Sequence, residues 1–277
     1  MRVTRLGIEL GSLTIGSFGL FVVFAVLTGA LLTRWQAKRR GLNPNCVVAI
    51  LPWMIVGGLV GGRLFYIFNP PPSVQAIYSR GWYLTHPFDL QVGPLAVWSG
   101  GLGMAGVLFG GGLGTVVGLW QQKQNLARWA AALIPGLLVG LIITPWANVV
   151  LRQLYGPPTS LPWGLPVDSP VAPFEVVPPG TRFHPTPAYL SLWALAVLGA
   201  SLFVEKRFAG RLSDGERFSV PALLYLLGVF LADFLRVDVN HGWLGLTVMQ
   251  ALALLLSGAL VALVVWGRRL SGQDGST

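Results

Sequence analysis

The stretch GLIITPWANVVLRQLYG, which runs from Gly140 to Gly156, decides the fold because it is an apolar helix that turns polar before it ends. The segment leading into it, Trp129–Ile143, is almost wholly apolar and is long enough for most of a bilayer crossing. Asn148, Arg152 and Tyr155 follow at spacings of four and three, which predicts that their side chains share one helical face. Lipid would leave these polar groups unsatisfied, so the pattern indicates a face turned toward protein or a water-filled cavity.

A second interpretation of the same stretch is an interfacial anchor that binds nothing. Arg152 would then extend its guanidinium to the membrane surface, and Trp146 and Tyr155 would lie at the level of the lipid headgroups. Both interpretations remain open for this stretch taken alone.

The composition places the chain among membrane proteins. Of 277 residues, 53% are hydrophobic and 10% are charged, whereas a soluble domain has about 25% charged residues. The single cysteine, Cys46, excludes an intramolecular disulfide. We therefore predict an all-α integral membrane protein in which residues 1–277 form a single transmembrane domain.

The hydropathy pattern predicts seven transmembrane helices, each near the ~20 residues that a bilayer crossing requires. The predicted spans are Gly7–Leu32, Cys46–Phe68, Pro94–Trp120, Trp129–Leu151, Pro187–Val204, Phe218–Leu235 and Leu244–Trp266. The first of them has a longer apolar run than a signal peptide and is followed by basic residues, which favours a span.

The basic residues alternate between the two sides of the predicted membrane. Twelve of the nineteen Lys and Arg residues lie in the first, third and fifth connections and in the C-terminal tail. The positive-inside rule therefore predicts an N-terminus outside and a C-terminus in the cytoplasm. The formal charge of +9 reflects topology and contact with anionic lipid, and we expect no nucleic-acid partner.

The segment 156–186, between the fourth and fifth spans, is predicted to form a proline-rich extracytoplasmic head. Ten of the chain's twenty prolines lie between Pro157 and Pro187, which excludes a helix or a central strand there. All three histidines, His86, His184 and His241, fall on this outer side. Function is therefore expected outside or at the outer leaflet.

Polar groups inside the predicted spans are few. Arg63 lies deep in the second span, where a charge costs at least ~2.5–3.5 kcal/mol and indicates a functional site. The alternative is a structural cation that holds carbonyl groups or Asp233. Thr247 and Gln250 of the last span are interpreted as a polar pair that joins helices.

Glycine is concentrated in two spans and in the run that precedes the third. The small-residue spacing of the second and third spans predicts close packing of their helices at Gly57, Gly58, Gly61, Gly62, Gly110, Gly114 and Gly118. The run Ser99–Gly103 is denser in glycine than packing requires, and it predicts an irregular entry whose N–H groups face an anion.

Short motifs follow one another in a characteristic order along the chain. They are Gly61-Gly62-Arg63-x-x-Tyr66, Trp98-Ser99-Gly100-Gly101-x-Gly103, Leu133-Ile134-Pro135, Asn148, Leu154-Tyr155-Gly156, His184-Pro185-Thr186-x-x-Tyr189 and Thr247-x-x-Gln250. Over nearly the whole chain this order resembles the prolipoprotein diacylglyceryl transferase family. The resemblance implies a multi-pass protein of the bacterial plasma (inner) membrane. It also implies transfer of a diacylglyceryl group from phosphatidylglycerol to a lipoprotein cysteine at the outer side.

Such a transfer defines what the site must supply. A thiol with an ordinary pKa near 8.5 has to attack an alkyl carbon, so a base or a positive field must favour the thiolate. The leaving glycerol phosphate is an anion, so fixed arginines must accept its charge.

The chain departs from the family at five positions that bear on this chemistry. Relative to the family it has Ser99 for a histidine, Pro145 for an arginine, Gln153 for a glutamate, Phe18 for a tyrosine and Val229 for an arginine. The sequence therefore predicts a transferase-like pseudoenzyme, which binds phospholipid or lipidated protein at the outer leaflet without normal catalysis.

Two alternatives remain open. The first is an active divergent phosphatidylglycerol–prolipoprotein diacylglyceryl transferase, in which Arg152 takes the phosphate and His184 the proton, with Tyr225 as a third catalytic candidate. The second is a structural subunit of a larger membrane complex, whose proline-rich head meets a partner.

The expected ligand is a phosphatidylglycerol-like phospholipid, with no cofactor and no metal. A lipoprotein or a membrane-complex partner is expected at the head. The predicted lipid and phosphate site comprises Arg63, Ser99, Gly100, Gly101, Asn148, Arg152 and Tyr225. Arg63, Asn148, Arg152 and Tyr225 are expected to line one cavity that opens toward the outer leaflet.

Overall fold

The chain folds mainly into helices. The structure is a computed structural model, and it describes residues 2–5, 7–10, 13–70, 72–75, 77–96, 101–168, 174, 176–208, 210–237, 239 and 243–273. The helices are α1 Ser17–Arg39, α2 Cys46–Phe68, α3 Pro72–Gln75, α4 Arg80–Thr85, α5 Met104–Gln121, α6 Leu126–Ile143, α7 Pro145–Leu151, α8 Thr186–Arg207, α9 Asp214–Asp233 and α10 Val248–Gln273. Within the described residues, seven stretches of helix are long and apolar enough to cross a membrane, with α6 and α7 counted as one. The prediction of an all-α integral membrane protein is confirmed.

The second predicted span agrees best with the structure, because it begins and ends at the same residues as α2. The first span is wrong at its N-terminal end. Two strands, β2 Gly7–Leu10 and β3 Leu13–Gly16, pair antiparallel there, and β1 Arg2–Val3 pairs with β2. The ladder satisfies backbone groups that a helix would otherwise pair, so α1 begins only after Gly16.

The third span is also shorter than predicted, because α5 begins at Met104 and not at Pro94. The chain before it is held in irregular conformation, and Gly103 N–H donates to the Gly62 carbonyl. The later spans coincide with α6–α7, α8, α9 and α10, with ends displaced by a few residues.

The helices belong to two compact units. One comprises Met1–Arg40, Ala127–Asp238 and Trp243–Thr277, and the other comprises Gly41–Leu126 and Val239–Gly242. Each is described by itself below, and the single transmembrane domain over residues 1–277 stays a prediction.

The second unit is built on direct backbone contact between α2 and α5. A Cβ added to Gly61 would collide with the carbonyl oxygen of Gly106, and one added to Gly114 with that of Trp53. Only glycine allows the two helices to approach so closely. The predicted close packing of these glycine-rich spans is confirmed.

The first unit has an apolar core between α6, α8 and α9. The core residues are Ile134, Leu138, Leu141, Ala194, Val197 and Tyr225. Arg40, which follows α1, pairs with Glu205 of α8 at 2.6 Å, and within α9 Arg217 pairs with Asp214 at 3.3 Å. The N-terminus of α9 has a capping box formed by Ser213 and Glu216.

Three two-residue strands organise the described part of segment 156–186. They are β4 Pro158–Thr159, β5 Leu165–Pro166 and β6 Arg182–Phe183, in the order β4-β6-β5. The expectation that this segment contains no central strand is wrong, because β6 lies between the other two. Proline, which has no N–H to donate, occurs in the two outer strands and not in β6. That this segment is an extracytoplasmic head stays a prediction.

Candidate functional site

The end of α7 differs from the continuous helix that the sequence predicted. The helix ends at Leu151, and Arg152 adopts the left-handed conformation with φ 57° and ψ 45°. Leu154 is also left-handed, with φ 56°. The prediction that Asn148, Arg152 and Tyr155 share one helical face is therefore wrong, because the turn at Arg152 redirects the chain.

Asn148 remains inside α7 and is 7% exposed. Its carbonyl accepts hydrogen bonds from the N–H groups of Arg152 and Gln153, which closes the helix. Its side-chain amide makes no hydrogen bond to any residue that the structure describes. Because this amide has no partner among the described residues, Asn148 is a candidate for binding a polar group of a ligand.

Arg152 pairs with a carboxylate of the proline-rich segment. Its Nη1 lies 2.5 Å from Oδ1 of Asp168, and Arg5 pairs with the other carboxylate oxygen. The hydrogen bond from Arg5, together with the charge of Arg152, holds the pKa of Asp168 below the ordinary carboxyl value. All three side chains are partly exposed, so each pair is screened by solvent. The cluster of Arg5, Arg152 and Asp168 therefore has a net charge of one positive unit.

Tyr155 is not an interfacial anchor, because it is 5% exposed. Its ring packs edge-on against Phe183, with centroids 5.1 Å apart, and its carbonyl accepts from Val237 N–H. Trp146 is 43% exposed and donates its indole N–H to Ser191 Oγ at 2.9 Å. The anchor interpretation therefore fails for Tyr155.

His184 is fixed beside the end of this same stretch. Gly156 N–H donates to the His184 carbonyl at 2.8 Å, and the Thr186 hydroxyl donates to the Leu154 carbonyl. A Cβ on Gly156 would lie 3.0 Å from the His184 Cβ and 2.7 Å from the Leu235 carbonyl oxygen. Glycine is required there so that these segments can meet.

The His184 side chain is hydrogen-bonded to Tyr189, which is hydrogen-bonded in turn to Trp163. Its Nδ1 lies 2.9 Å from the Tyr189 hydroxyl, and the Trp163 indole N–H donates to that hydroxyl oxygen at 3.1 Å. The sequence motif named His184 and Tyr189, but it did not indicate Trp163.

Tyr225 lies in the core of the first unit and is 9% exposed. Its hydroxyl makes no hydrogen bond within the described part of the chain. Nearby in sequence, Asp233 pairs with Arg236 at 3.2 Å and accepts from the Thr247 hydroxyl. Gln250 donates its side-chain N–H to the Phe230 carbonyl at 3.3 Å, so Thr247 and Gln250 both bond to α9, which confirms that this polar pair joins helices.

In the second unit, Arg63 is 5% exposed and donates to main-chain carbonyls. Its acceptors are the carbonyls of Val92, Gly93, Pro94 and Gly101, at 2.5–3.2 Å. A guanidinium has five N–H donors, so these contacts favour the structural alternative over a phosphate ligand.

Gly101 has φ +71°, and a Cβ there would lie 2.8 Å from Arg63 Nη1. Ser99 and Gly100 lie outside the described residues. The site residues thus divide between the units. Asn148, Arg152 and Tyr225 belong to the first and Arg63 to the second, and their shared cavity stays a prediction.

Two contributors escaped the sequence analysis, Arg5 and Asp168. Asp168 lies in a connection with one other acidic residue, Glu175, and it meets an arginine 163 positions away. No short motif encodes a contact of that separation.

Comparisons with known proteins agree on one family. The family model described as prolipoprotein diacylglyceryl transferase matches residues 5–266. The chain is 33% identical over 270 residues to phosphatidylglycerol–prolipoprotein diacylglyceryl transferase 2 of Streptomyces coelicolor, which covers 96% of this chain and 80% of that protein. It is 32% identical over 263 residues to the Paenarthrobacter aurescens enzyme of the same activity name, with 92% and 79% covered. For the Frankia alni relative the identity is 30% over 260 residues, and the match spans 93% of this chain but 65% of that longer protein.

Proposed function

The chain belongs to the prolipoprotein diacylglyceryl transferase family, and we propose that it is an active transferase that moves the diacylglyceryl group of phosphatidylglycerol to a prolipoprotein cysteine. The observation that carries the proposal is the identity of 33% over 96% of the chain with a relative that bears this activity in its name.

The prediction of a pseudoenzyme is wrong. Relatives named as transferases match nearly the whole chain at about 30% identity, and no finding indicates lost catalysis. Pro145 and Val229 replace individual arginines, but a charge can act from a neighbouring position. The subunit-of-a-complex alternative has no support from these relatives.

The family and the seven apolar helices make this chain a multi-pass protein of the inner membrane. The alternation of Lys and Arg supports an extracytoplasmic position for residues 156–186, an N-terminus outside and a C-terminus in the cytoplasm.

The proposed reaction exchanges a carbon–oxygen bond for a carbon–sulfur bond. The cysteine sulfur attacks the diacylglycerol carbon that bears the phosphate, and the electron pair of the broken bond passes to the phosphate oxygen. The thiol proton ends on the glycerol phosphate that leaves. The site must therefore stabilise negative charge on this phosphate as the bond breaks.

Arg152 and Arg5 are the cations of the first unit that we assign to this phosphate. Both hold the carboxylate of Asp168, which is itself an oxyanion. A phosphate offers more acceptor oxygens than a carboxylate, and arginine binds both in the same two-pronged geometry. Asp168 thus occupies a position that suits the substrate phosphate.

Asn148 and His184 are assigned to supporting roles around that phosphate. The Asn148 amide has no hydrogen-bond partner among the described residues, and Asn148 precedes Arg152 by four positions. His184 is tied by backbone hydrogen bonds to Gly156 and Pro157, immediately after the same turn.

The test is expression in a bacterium depleted of its own transferase, followed by detection of thioether-linked diacylglycerol on a reporter lipoprotein. We expect modification that Arg152→Ala abolishes or strongly reduces. Arg182→Ala is the control, because Arg182 lies in the proline-rich segment near Asp168 in sequence, but its side chain donates to the Pro162 carbonyl and to no other described residue. Absence of modification, with the protein at normal abundance in the membrane, would refute the activity.

A further inference from the structure

Tyr189 bridges an indole and an imidazole. Its hydroxyl oxygen lies 3.1 Å from Trp163 Nε1 and 2.9 Å from His184 Nδ1. The rings of His184 and Tyr189 meet edge to face, with centroids 6.0 Å apart. These are the hydrogen bonds of the Tyr189 side chain within the described part of the chain.

The hydrogen-bonding capacities of the three groups favour one direction for this chain of hydrogen bonds. An indole Nε1–H is a donor only, so the Tyr189 oxygen accepts from Trp163. The Tyr189 hydroxyl hydrogen then has one acceptor among the described residues, which is Nδ1 of His184. In the reverse arrangement Nδ1–H would donate to an oxygen that already accepts from Trp163, and the hydroxyl hydrogen would have no acceptor among the described residues.

We propose that Tyr189, oriented by Trp163, holds neutral His184 in the tautomer that carries its proton on Nε2. His184 then presents an N–H donor to the substrate and is not the base that takes the thiol proton. This inference rests on the proposed function for its chemical role, but the tautomer itself is a property of the folded protein.

The second ring nitrogen, Nε2, is available for such a role. Nδ1 is occupied by Tyr189, and Nε2 makes no hydrogen bond to a described residue. The His184 backbone is bonded to Gly156 and Pro157, which follow the turn that carries Arg152. An N–H at Nε2 is suited to the phosphate oxygen that gains the electron pair when the carbon–oxygen bond breaks, and it keeps its proton throughout.

Trp163 and Tyr189 are accordingly positioning residues, which act through His184. Each contributes a neutral hydrogen bond, so removing the Tyr189 hydroxyl should reduce kcat about 5-fold. KM for phosphatidylglycerol should stay unchanged, because the donor acts on charge that develops in the transition state.

The tautomer can be measured without any assay of activity. The chain has three histidines, so protein labelled with ¹⁵N in histidine rings gives three pairs of ring signals, and His184→Asn identifies the pair of interest. The ring shifts are followed as pH is raised until they no longer change, so that the ring is neutral. We expect the neutral ring to have an unprotonated Nδ1 and a protonated Nε2. In Tyr189→Phe both nitrogens should shift as the accepted hydrogen bond is lost. A protonated Nδ1 in the wild-type protein, or His184 ring shifts that are the same in Tyr189→Phe as in the wild type, would overturn the proposal.

The kinetic arm compares Tyr189→Phe with Tyr78→Phe, which removes the same hydroxyl from a tyrosine packed on Trp82 and Tyr83. Unchanged signals from the other two histidines show that each variant is folded. If Tyr189→Phe does not fold, Trp163→Phe provides a second variant. An unchanged kcat, or a change confined to KM, would overturn the role of His184 as a donor. If the wild-type protein shows no transfer at all, the proposed function fails while the tautomer is still decided by the spectrum.

Discussion

Arg152 Nη1 and Asp168 Oδ1 lie 2.5 Å apart, and this ion pair ties the turn after α7 to the proline-rich segment. Arg152 adopts a left-handed backbone conformation, which costs a non-glycine residue about 1–3 kcal/mol. The conformation turns the chain out of the helix at the position where the guanidinium meets the carboxylate. A substrate phosphate that binds Arg152 has to compete with Asp168.

Arg152→Ala should lower the rate of diacylglyceryl transfer by about 10²–10³, since it removes a donor to charge that develops on the phosphate. Arg152→Lys should recover part of the rate, because it keeps the charge but loses the two-pronged geometry. Thioether formation on a synthetic lipobox peptide with phosphatidylglycerol vesicles measures both. Equal rates for Arg152→Ala and wild type would remove Arg152 from the site.

Asp168→Asn should lower KM for phosphatidylglycerol by a few fold, because the amide no longer competes as an anion for Arg5 and Arg152. The same peptide assay over a range of lipid concentrations gives KM and kcat separately. A raised KM would indicate instead that Asp168 orients the arginines for substrate.

The Asp168 ion pairs should stabilise the protein in a pH-dependent way. The Arg5 hydrogen bond and the Arg152 charge lower the pKa of Asp168 in the folded state, so their contribution is present above the ordinary aspartate value of about 3.9 and is lost as pH falls through the lower folded value. The difference in Tm between wild type and Asp168→Asn should be constant from about pH 8 to 5 and shrink below about pH 4. A difference that disappears near neutral pH would contradict this assignment.

Gly61→Ala should destabilise the protein by about 1–3 kcal/mol or more, because the new methyl group meets the Gly106 carbonyl and α2 and α5 must separate. The matched control is Gly112→Ala in α5, where an added Cβ has no atom within 4 Å. That change should be neutral or stabilising by up to about 1 kcal/mol through helix propensity. Thermal unfolding in detergent compares the two, and similar Tm values would argue against direct helix contact.

Arg63→Lys tests whether this buried cation is structural. Lysine cannot reproduce the set of carbonyl contacts, and each charge-assisted hydrogen bond that is lost costs about 1.5–3 kcal/mol. We expect a lower Tm and an unchanged KM for phosphatidylglycerol. The control is Arg80→Lys, since Arg80 makes an exposed contact to the Phe68 carbonyl. A raised KM at unchanged Tm would restore Arg63 to the phosphate site.

Cysteine labelling can establish the orientation in the membrane. The native Cys46 is buried and gives little background. A cysteine at Ser160 should react with an impermeant maleimide in sealed cells, whereas a cysteine at Ser271 should react only after permeabilisation, as the Lys and Arg distribution predicts. Labelling of the Ser271 position in intact cells would reverse the topology.

The amino-acid sequence by itself determined the number of spans, the close helix packing at the glycines of two of them and the family. Each depends on local or repeated features: a continuous apolar length, a small residue every four positions, and short motifs in order. These features constrain neighbouring residues directly, so α2 was predicted at both ends. The catalytic prediction failed because the absence of an arginine at Pro145 or Val229 says nothing about a cation that arrives from elsewhere.

Only the tertiary structure decided where the polar groups of the signature stretch point and what they meet. The spacing of Asn148, Arg152 and Tyr155 predicted a helix that continues past Leu151. The chain instead leaves the helix at Arg152, and Asp168, His184 and Thr186 bond to the turn that follows. Arg63 likewise finds its carbonyls about thirty residues away in an irregular segment. The free energy of such contacts depends on which distant groups the fold brings together, and this information is not contained in the spacing of residues along the chain.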